Sequence, residues 1–229
     1  MQLPEHLIAS NQHGKYCVPA SSRSRPAAAA VLAGRVWERK TIEYMAKRCA
    51  SGDIVHAGAY FGDFLPGLSN ALKPDAHLWA FEPSAENYSC AKRTLELNDI
   101  GNATLFHAGL GAKSETRILC TGRPMISALG GASRFVRKKK PGYAYEETQI
   151  LAVDEVVPSD RMVSIVQLDV EGYEEQALRG ALKTIRRNLP ILILENLPKN
   201  AEWFRETILA LGYGDAEKLL GNKVFAAPC

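Results

Sequence analysis

The chain has 229 residues, 46% of them hydrophobic, which is enough to bury one good core and reads as a single domain with an appendage. A net charge of +3 is too close to balance for the concentrated basic face of a nucleic-acid binder, and no nucleic-acid module is recognisable, so no nucleic-acid partner is expected. The five cysteines (Cys17, Cys49, Cys90, Cys120 and Cys229) are scattered without CxxC spacing, which argues against a zinc centre and fits a reduced, cytoplasmic compartment.

Met1 to Ser10 lacks the basic-then-apolar progression of a secretory signal, and the apolar run Ala27 to Ala33 is far too short to cross a bilayer, so no membrane span is expected. Residues 1–50 read as an N-terminal helical cap. A Ser/Arg/Pro stretch, Ser21 to Pro26, precedes an alanine-rich segment, and a second helix places Ile42, Met45, Ala46 and Cys49 on one face. From residue 51 to 229 strands and helices alternate, which predicts an α/β fold with a mostly parallel sheet covered by helices on both faces.

Asp53 to Ala57 is a short buried strand that runs into the glycine turn Gly58-Ala59-Tyr60-Phe61-Gly62 and then a helix near Asp63, with Pro66 tolerated in its first turn. His77 to Phe81 is a second strand that stops at Glu82-Pro83. Such a turn lets backbone amides approach an anionic group, and a carboxylate about 20 residues later can accept hydrogen bonds from a ribose diol. The Gly-Ala-Tyr-Phe-Gly spacing lacks the GxGxxG of dinucleotide folds, which favours S-adenosylmethionine over a pyrophosphate-bearing cofactor. On this reading Gly58 and Gly62 allow close passage of the methionine moiety and its carboxylate, and Glu82 takes the ribose. Tyr60 and Phe61 either pack or face the sulfonium, and His56 is either a hydrogen-bonded structural group or a cofactor contact.

The helix after Ser84, a good N-cap, carries Tyr88, Ala91 and Leu95 toward the sheet. The third strand, Ala103 to His107, ends in His107-Ala108-Gly109, where an adenine ring would lie. Residues 111–160 break the alternation, with short strands at Arg117 to Cys120 and Gln149 to Val153, and read as a substrate-facing insertion. Its basic run, Arg134 to Lys140, is a solvated face or a phosphate grip.

The fourth strand, Ser164 to Asp169, opens into Asp169-Val170-Glu171-Gly172-Tyr173-Glu174-Glu175. Methyl transfer to a hydroxyl needs the acceptor aligned and its proton removed, so Asp169 and Glu171 are candidate catalytic carboxylates; the bland reading is negative charge enriching a helix N-terminus. Ala177, Leu178, Ala181, Leu182 and Ile185 form a helical stripe, and the fifth strand, Ile191 to Glu195, brings Glu195 to the same edge as a third candidate. These carboxylates permit a divalent metal, although no dedicated ligand spacing supports one. A helix from Ala201 to Leu211, capped by Gly212, and an antiparallel hairpin turning at Gly221-Asn222 close the chain.

The set His-Ala-Gly-Ala-Tyr-Phe-Gly-Asp, Phe-Glu-Pro-Ser, Leu-Asp-Val-Glu-Gly-Tyr-Glu and Ile-Leu-Ile-Leu-Glu-Asn resembles the FkbM family of S-adenosylmethionine-dependent methyltransferases, from Asp53 to Asn196. The resemblance implies a Rossmann-like, seven-stranded sheet with a terminal antiparallel hairpin, and O-methylation of a sugar or polyketide-type natural product. It also implies that Gly58, Ala59, Gly62, Glu82 and Pro83 bind cofactor, that Asn98 closes the second helix, and that Asp169 and Glu171 sit at the active site. His56 stands where the family usually has Asp, and Gln167 where a Lys is common. Tyr16, Trp37, Glu38 and Thr41 either line a lid or pack the cap.

The expected cofactor-binding set is therefore His56, Gly58, Ala59, Tyr60, Phe61, Gly62, Phe81, Glu82, Pro83, His107, Ala108, Gly109 and Asp169, with Asp169, Glu171 and Glu195 catalytic. The partner expected is a small molecule, a saccharide or natural product; nitrogen methylation, a non-catalytic cofactor-binding module and homo-oligomerisation stay open.

Overall fold

The computed structural model describes residues 3–124, 128–214 and 217–227. An N-terminal segment holds β1 (His6–Asn11), β2 (Gly14–Pro19), α1 (Pro26–Leu32) and α2 (Arg39–Arg48). Alternation then sets in with β3 (Asp53–Ala57), α3 (Leu65–Ser69), β4 (Leu78–Phe81), α4 (Ala85–Leu97) and β5 (Ala103–Phe106). An insertion contributes β6 (Ala108–Leu110), β7 (Glu115–Gly122), β8 (Arg134–Val136), β9 (Ala144–Leu151) and α5 (Val153–Val156). The chain returns through β10 (Val163–Leu168), α6 (Glu174–Arg179), α7 (Leu182–Asn188), β11 (Ile191–Leu194), α8 (Ala201–Thr207), β12 (Glu217–Leu219) and β13 (Asn222–Phe225).

The principal sheet has seven strands in the order β12-β13-β11-β10-β3-β4-β5, with β11 through β5 parallel and the β12–β13 hairpin antiparallel at one edge. Chain order runs outward from β3 through β4 to β5, then restarts beside β3 with β10. That reversal opens a crevice at the carboxyl ends of β3 and β10, where open α/β sheets bind ligands. Every residue of β3 is buried, as the unbroken apolar run Ile54-Val55 on a doubly covered strand requires. On one face Ile54, Leu78, Ala80 and Ile165 pack against Ile42, Met45, Leu65 and Leu68; on the other Val55, Ala57, Phe81 and Leu168 pack against Leu178, Ala181 and Ile185.

The two helices expected in residues 1–50 form, but a β-hairpin precedes them. It departs from an all-helical cap because Tyr16, Cys17 and Val18 are buried against α4 and need a flat surface there. Asn98, the C-cap of α4, grips the hairpin at both polar groups of Lys15, accepting from its N–H (2.8 Å) and donating to its carbonyl (2.7 Å). On α4 the buried face is Asn87, Cys90, Ala91 and Thr94; Tyr88 and Leu95 are only half-buried.

The stripe from Ala177 to Ile185 is buried as expected apart from half-buried Leu182, yet it divides into two helices at Gly180. The Gly111 backbone crosses there so closely that a Cβ on Gly180 would sit 1.9 Å from its carbonyl oxygen. The insertion builds its own sheet, β6-β9-β7-β8, and its 130–135 segment bends back over the crevice. No helix among the described residues is long and apolar enough to cross a membrane, and Cys17, Cys49, Cys90 and Cys120 are buried free thiols.

Buried Asp53 fastens the opposite end of the sheet. It accepts from Trp79 Nε1 (2.7 Å), the His77 amide (2.8 Å) and the Arg161 guanidinium at Nε (2.8 Å) and Nη2 (2.5 Å), joining β3, β4 and the approach to β10. Asp53→Ala strands all of these donors, and urea unfolding should register a loss of about 3 kcal/mol; a change under about 0.5 kcal/mol, the usual range of a surface substitution, would mean the sheet end is held by packing alone.

Candidate active site

Two adjoining hollows occupy the carboxyl edge of the sheet. The inner one is walled by Gly58, Phe81, Glu82, Pro83 and Gly109, and roofed by Gly130, Gly131 and Phe135 of the insertion. The outer one is lined by His56, Tyr60, Asp63, Gln167, Glu171 and Glu195, with Arg25, Trp37 and Glu38 from the N-terminal segment closing it. Gly58, Gly131 and Asp169 belong to both, so the two form one continuous cleft with Asp169 at its waist.

Parallel pairing of β3 with β10 sets this waist. The Asp169 N–H donates to the Ala57 carbonyl (3.0 Å), which brings the Asp169 backbone against Gly58. A Cβ on Gly58 would lie 2.1 Å from the Asp169 carbonyl oxygen, and its φ of +89° is a conformation that side chains disfavour, so the position demands glycine. The Gly58 and Ala59 amides both donate to the Phe81 carbonyl (3.1 and 3.0 Å), tying the turn to the end of β4.

Glu82 follows directly and is buried. Its carboxylate accepts from the Tyr60 amide (2.8 Å), the Ser84 amide (2.9 Å) and Asn87 Nδ2 (3.3 Å). Those donors favour the ionised form, but burial outweighs them and pushes its pKa up to about 8. A carboxylate has about four acceptor sites, so one is left for a ligand hydroxyl in the inner hollow.

The acidic sequence after β10 separates by role. Glu174 is buried and accepts from the Gly172 amide and Asn196, while Glu175 pairs with Arg179 at 3.0 Å; both support α6. Asp169, Glu171 and Glu195 instead converge on the cleft, with one carboxylate oxygen of each within 4.8 Å of the others. Glu171 reaches in through a left-handed backbone (φ +53°) ahead of Gly172. Burial raises the Asp169 pKa well above the carboxylate range, and the neighbouring Glu195 and Glu171 charges add to it. Burial raises Glu171 as well, reinforced by Glu195 and Glu174 and opposed by Arg134 and Arg25.

His56, in register with Gln167 on β10, is held by a 2.5 Å hydrogen bond from Nδ1 to Gln167 Oε1 and stacks on Phe64. Burial lowers its pKa to about 4, so the ring is neutral with Nδ1 protonated, and Nε2 is a buried acceptor without a partner among the described residues. Asp63 at the same wall is raised to about 7 by burial.

Of the residues singled out in the sequence, the cleft thus gathers His56, Gly58, Tyr60, Phe81, Glu82, Pro83, Gly109, Asp169, Glu171 and Glu195. Ala59 and Phe61 are fully buried in the packing behind the turn, and Gly62 abuts Thr94. His107 lies beyond the hollows, stacked on Tyr88 at 4.7 Å, and Ala108 is buried in β6. Sequence reasoning passed over Asp63, Gly130, Gly131, Phe135 and Arg25 as site residues. Gly130-Gly131 within an overlong excursion was the available signal, but nothing local says that it folds back over β4.

Residues 56–219 match the model of the Methyltransferase FkbM domain. Among solved structures, Methyltransferase FkbM from Methylobacillus flagellatus KT is similar at 18% identity and a TM-score of 0.53, covering 76% of this chain; the chain spans 43% of that protein's length. A tRNA (uracil-54, C5)-methyltransferase from Pyrococcus abyssi, solved with S-adenosyl-L-homocysteine, aligns at 12% identity and a TM-score of 0.48 over 97% of this chain and 44% of its own. A SAM-dependent methyltransferase from Aquifex aeolicus aligns at 12% identity and a TM-score of 0.44 over 82% and 90%. The likeness to the Methylobacillus flagellatus protein speaks to the fold alone. A comparison with curated protein sequences finds no match.

The raised Glu82 pKa carries a sign. The folded state holds a proton that the unfolded chain releases near pH 4.5, so between there and about 8 stability falls as pH rises. Glu82→Gln should flatten that part of the stability profile in the ligand-free protein, measured by denaturation from pH 5 to 9; parallel profiles would place the titrating group elsewhere. Gly58→Ala should cost about 1 to 3 kcal/mol through backbone strain and the clash with Asp169.

Proposed function

The chain belongs to the FkbM methyltransferase family, and from that premise we propose that it binds S-adenosylmethionine and methylates a hydroxyl of a small molecule, a saccharide or polyketide-type metabolite. The observation that carries this reading is the single cleft with Glu82 at one end and three convergent carboxylates at the other, joined at the Gly58–Asp169 waist. A nucleoside with an amino-acid tail needs this polarity: a diol acceptor at one end, and negative charge around its cationic centres at the other.

The fit rests on two features of the cleft. Glu82 retains an acceptor site toward the inner hollow, suited to ribose hydroxyls, and Phe81 and Pro83 give that hollow an apolar wall suited to a purine. The cofactor supplies an electrophilic methyl group on a sulfonium. The chain's own residues supply the rest. Asp169 at the waist and Glu171 and Glu195 beyond it orient the acceptor hydroxyl and take its proton, and the upward-shifted pKa values of Asp169 and Glu171 bring those two closer to a useful base near neutrality. Trp37, Pro26 and Ala27 cover the outer hollow and limit water there.

A non-catalytic module would have no need to keep three like charges together in a half-buried place, where they repel one another. Hydroxyl is favoured over amine as acceptor because a carboxylate base serves an acceptor that must lose a proton as it reacts.

Calorimetry should show S-adenosylhomocysteine binding to the wild type. At pH 9, where Glu82 is ionised, affinity should fall by about 1.5 to 3 kcal/mol in Glu82→Ala, the range for hydrogen bonds to a charged group. NADH binding in place of S-adenosylhomocysteine would sink the assignment. With an acceptor in hand, Asp169→Asn and Glu171→Gln should still bind cofactor while kcat drops by roughly 10² or more. Wild-type turnover in both would return these groups to a structural role.

A further inference from the structure

We propose that Asp169, Glu171 and Glu195 bind one hydrated divalent cation of the Mg²⁺ or Mn²⁺ class at the floor of the outer hollow. The three side chains present carboxylate oxygens within 4.8 Å of one another, a spread that a single small ion with hard oxygen ligands can bridge. Asp169 and Glu195 directly follow two adjacent parallel strands, β10 and β11, so the sheet fixes two of the three, and Glu171 joins them from the turn two residues after Asp169. None of the three forms an ion pair among the described residues. Arg25 and Arg134 act on Glu171 only at longer range; Glu195 accepts from the neutral Asn196 amide at 2.8 Å and shares a hydrogen bond with the Asp169 carboxyl, whose proton a bound cation would displace.

A second, independent observation points the same way. His56 Nε2 is buried on the wall of this hollow with no partner among the described residues, and its ring is locked by Gln167 so that Nε2 presents a lone pair. A carboxylate cannot satisfy it. The O–H of a water on a cation can, and a small divalent ion that keeps several of its waters brings such donors with it. A histidine held neutral beside a carboxylate cluster therefore fits the outer sphere of a hydrated ion.

The consequence for methyl transfer rests on the function proposed above: with the ion present, the carboxylates act on the acceptor hydroxyl through it, and the acceptor replaces one of its waters. Acceptors with two neighbouring oxygens, as in a sugar diol, would then be preferred, because they can chelate.

The binding itself can be tested without an acceptor. Protein freed of metal by chelator and dialysis is titrated with MnCl₂, following the EPR signal of free Mn²⁺, with and without S-adenosylhomocysteine. One site per chain is expected, weakened at least about tenfold in Asp169→Asn and in Glu195→Gln, weakened less in His56→Phe, and unchanged in the exposed Glu206→Gln. Metal-free Asp169→Asn and Glu195→Gln should melt no lower than the wild type, since each removes like-charge repulsion, which separates lost binding from lost folding. Equal Mn²⁺ affinity in wild type, Asp169→Asn and Glu195→Gln, or no Mn²⁺ binding to a protein that does bind S-adenosylhomocysteine, overturns the cation site while leaving the methyltransferase reading standing. Mn²⁺ binding with the expected losses, in a protein that ignores S-adenosylhomocysteine, supports the site and sinks that reading instead.

Discussion

The contact on which the cleft depends is the approach of the Asp169 backbone to Gly58. Parallel pairing carries β3 and β10 side by side to their carboxyl ends, and the Asp169 amide closes on Ala57 just where the chain must leave the sheet in both strands. Only a residue without a Cβ fits between them. Because Gly58 is there, the turn can pass under Asp169, reach the Phe81 carbonyl through two amides, and leave Asp169 facing both hollows. A larger residue would push the strand ends apart and separate the groups at the two ends of the cleft.

Polar groups are distributed around that waist with a consistent logic. Where a buried charge serves the fold, it is saturated with donors, as Asp53 is by Trp79, His77 and Arg161. Around the outer hollow the opposite holds: among the described residues His56 Nε2 lacks a partner, and Asp169, Glu171 and Glu195 face one another with no basic side chain paired to them. Unsatisfied polar groups cost stability. The two packed faces of the sheet and the hairpin clamped on α4 offset that cost, leaving the edge free to remain chemically unsatisfied, as binding sites generally are.

The N-terminal segment and the insertion convert an open sheet edge into an enclosed one. Trp37 and Glu38 lie between α1 and α2, Gly130 and Phe135 between β7 and the end of β8, and each group is far in sequence from the strand ends it covers. The shared fold supplies the edge, and these two additions set the shape of what can enter. They are where specificity for one acceptor over another would be decided.

By itself the sequence determined the five parallel strands, the terminal hairpin, the glycine turn, and the carboxylates Glu82, Asp169 and Glu195 at strand ends. Each of these is written in a local pattern: apolar runs of strand length, a glycine that must adopt positive φ, an acidic residue where a run stops. The N-terminal hairpin was not legible, because Tyr16-Cys17-Val18 is too short to declare a strand and owes its extension to the surface of α4. The helix break at Gly180 depends on Gly111, and the roof over the inner hollow depends on where the insertion folds back. Only the tertiary structure could divide the acidic residues after β10 into those that support α6 and those that meet in the cleft. Sequence spacing places a carboxylate on an element, whereas the register between β3, β10 and β11 decides which carboxylates share a space small enough for their charges to act as one.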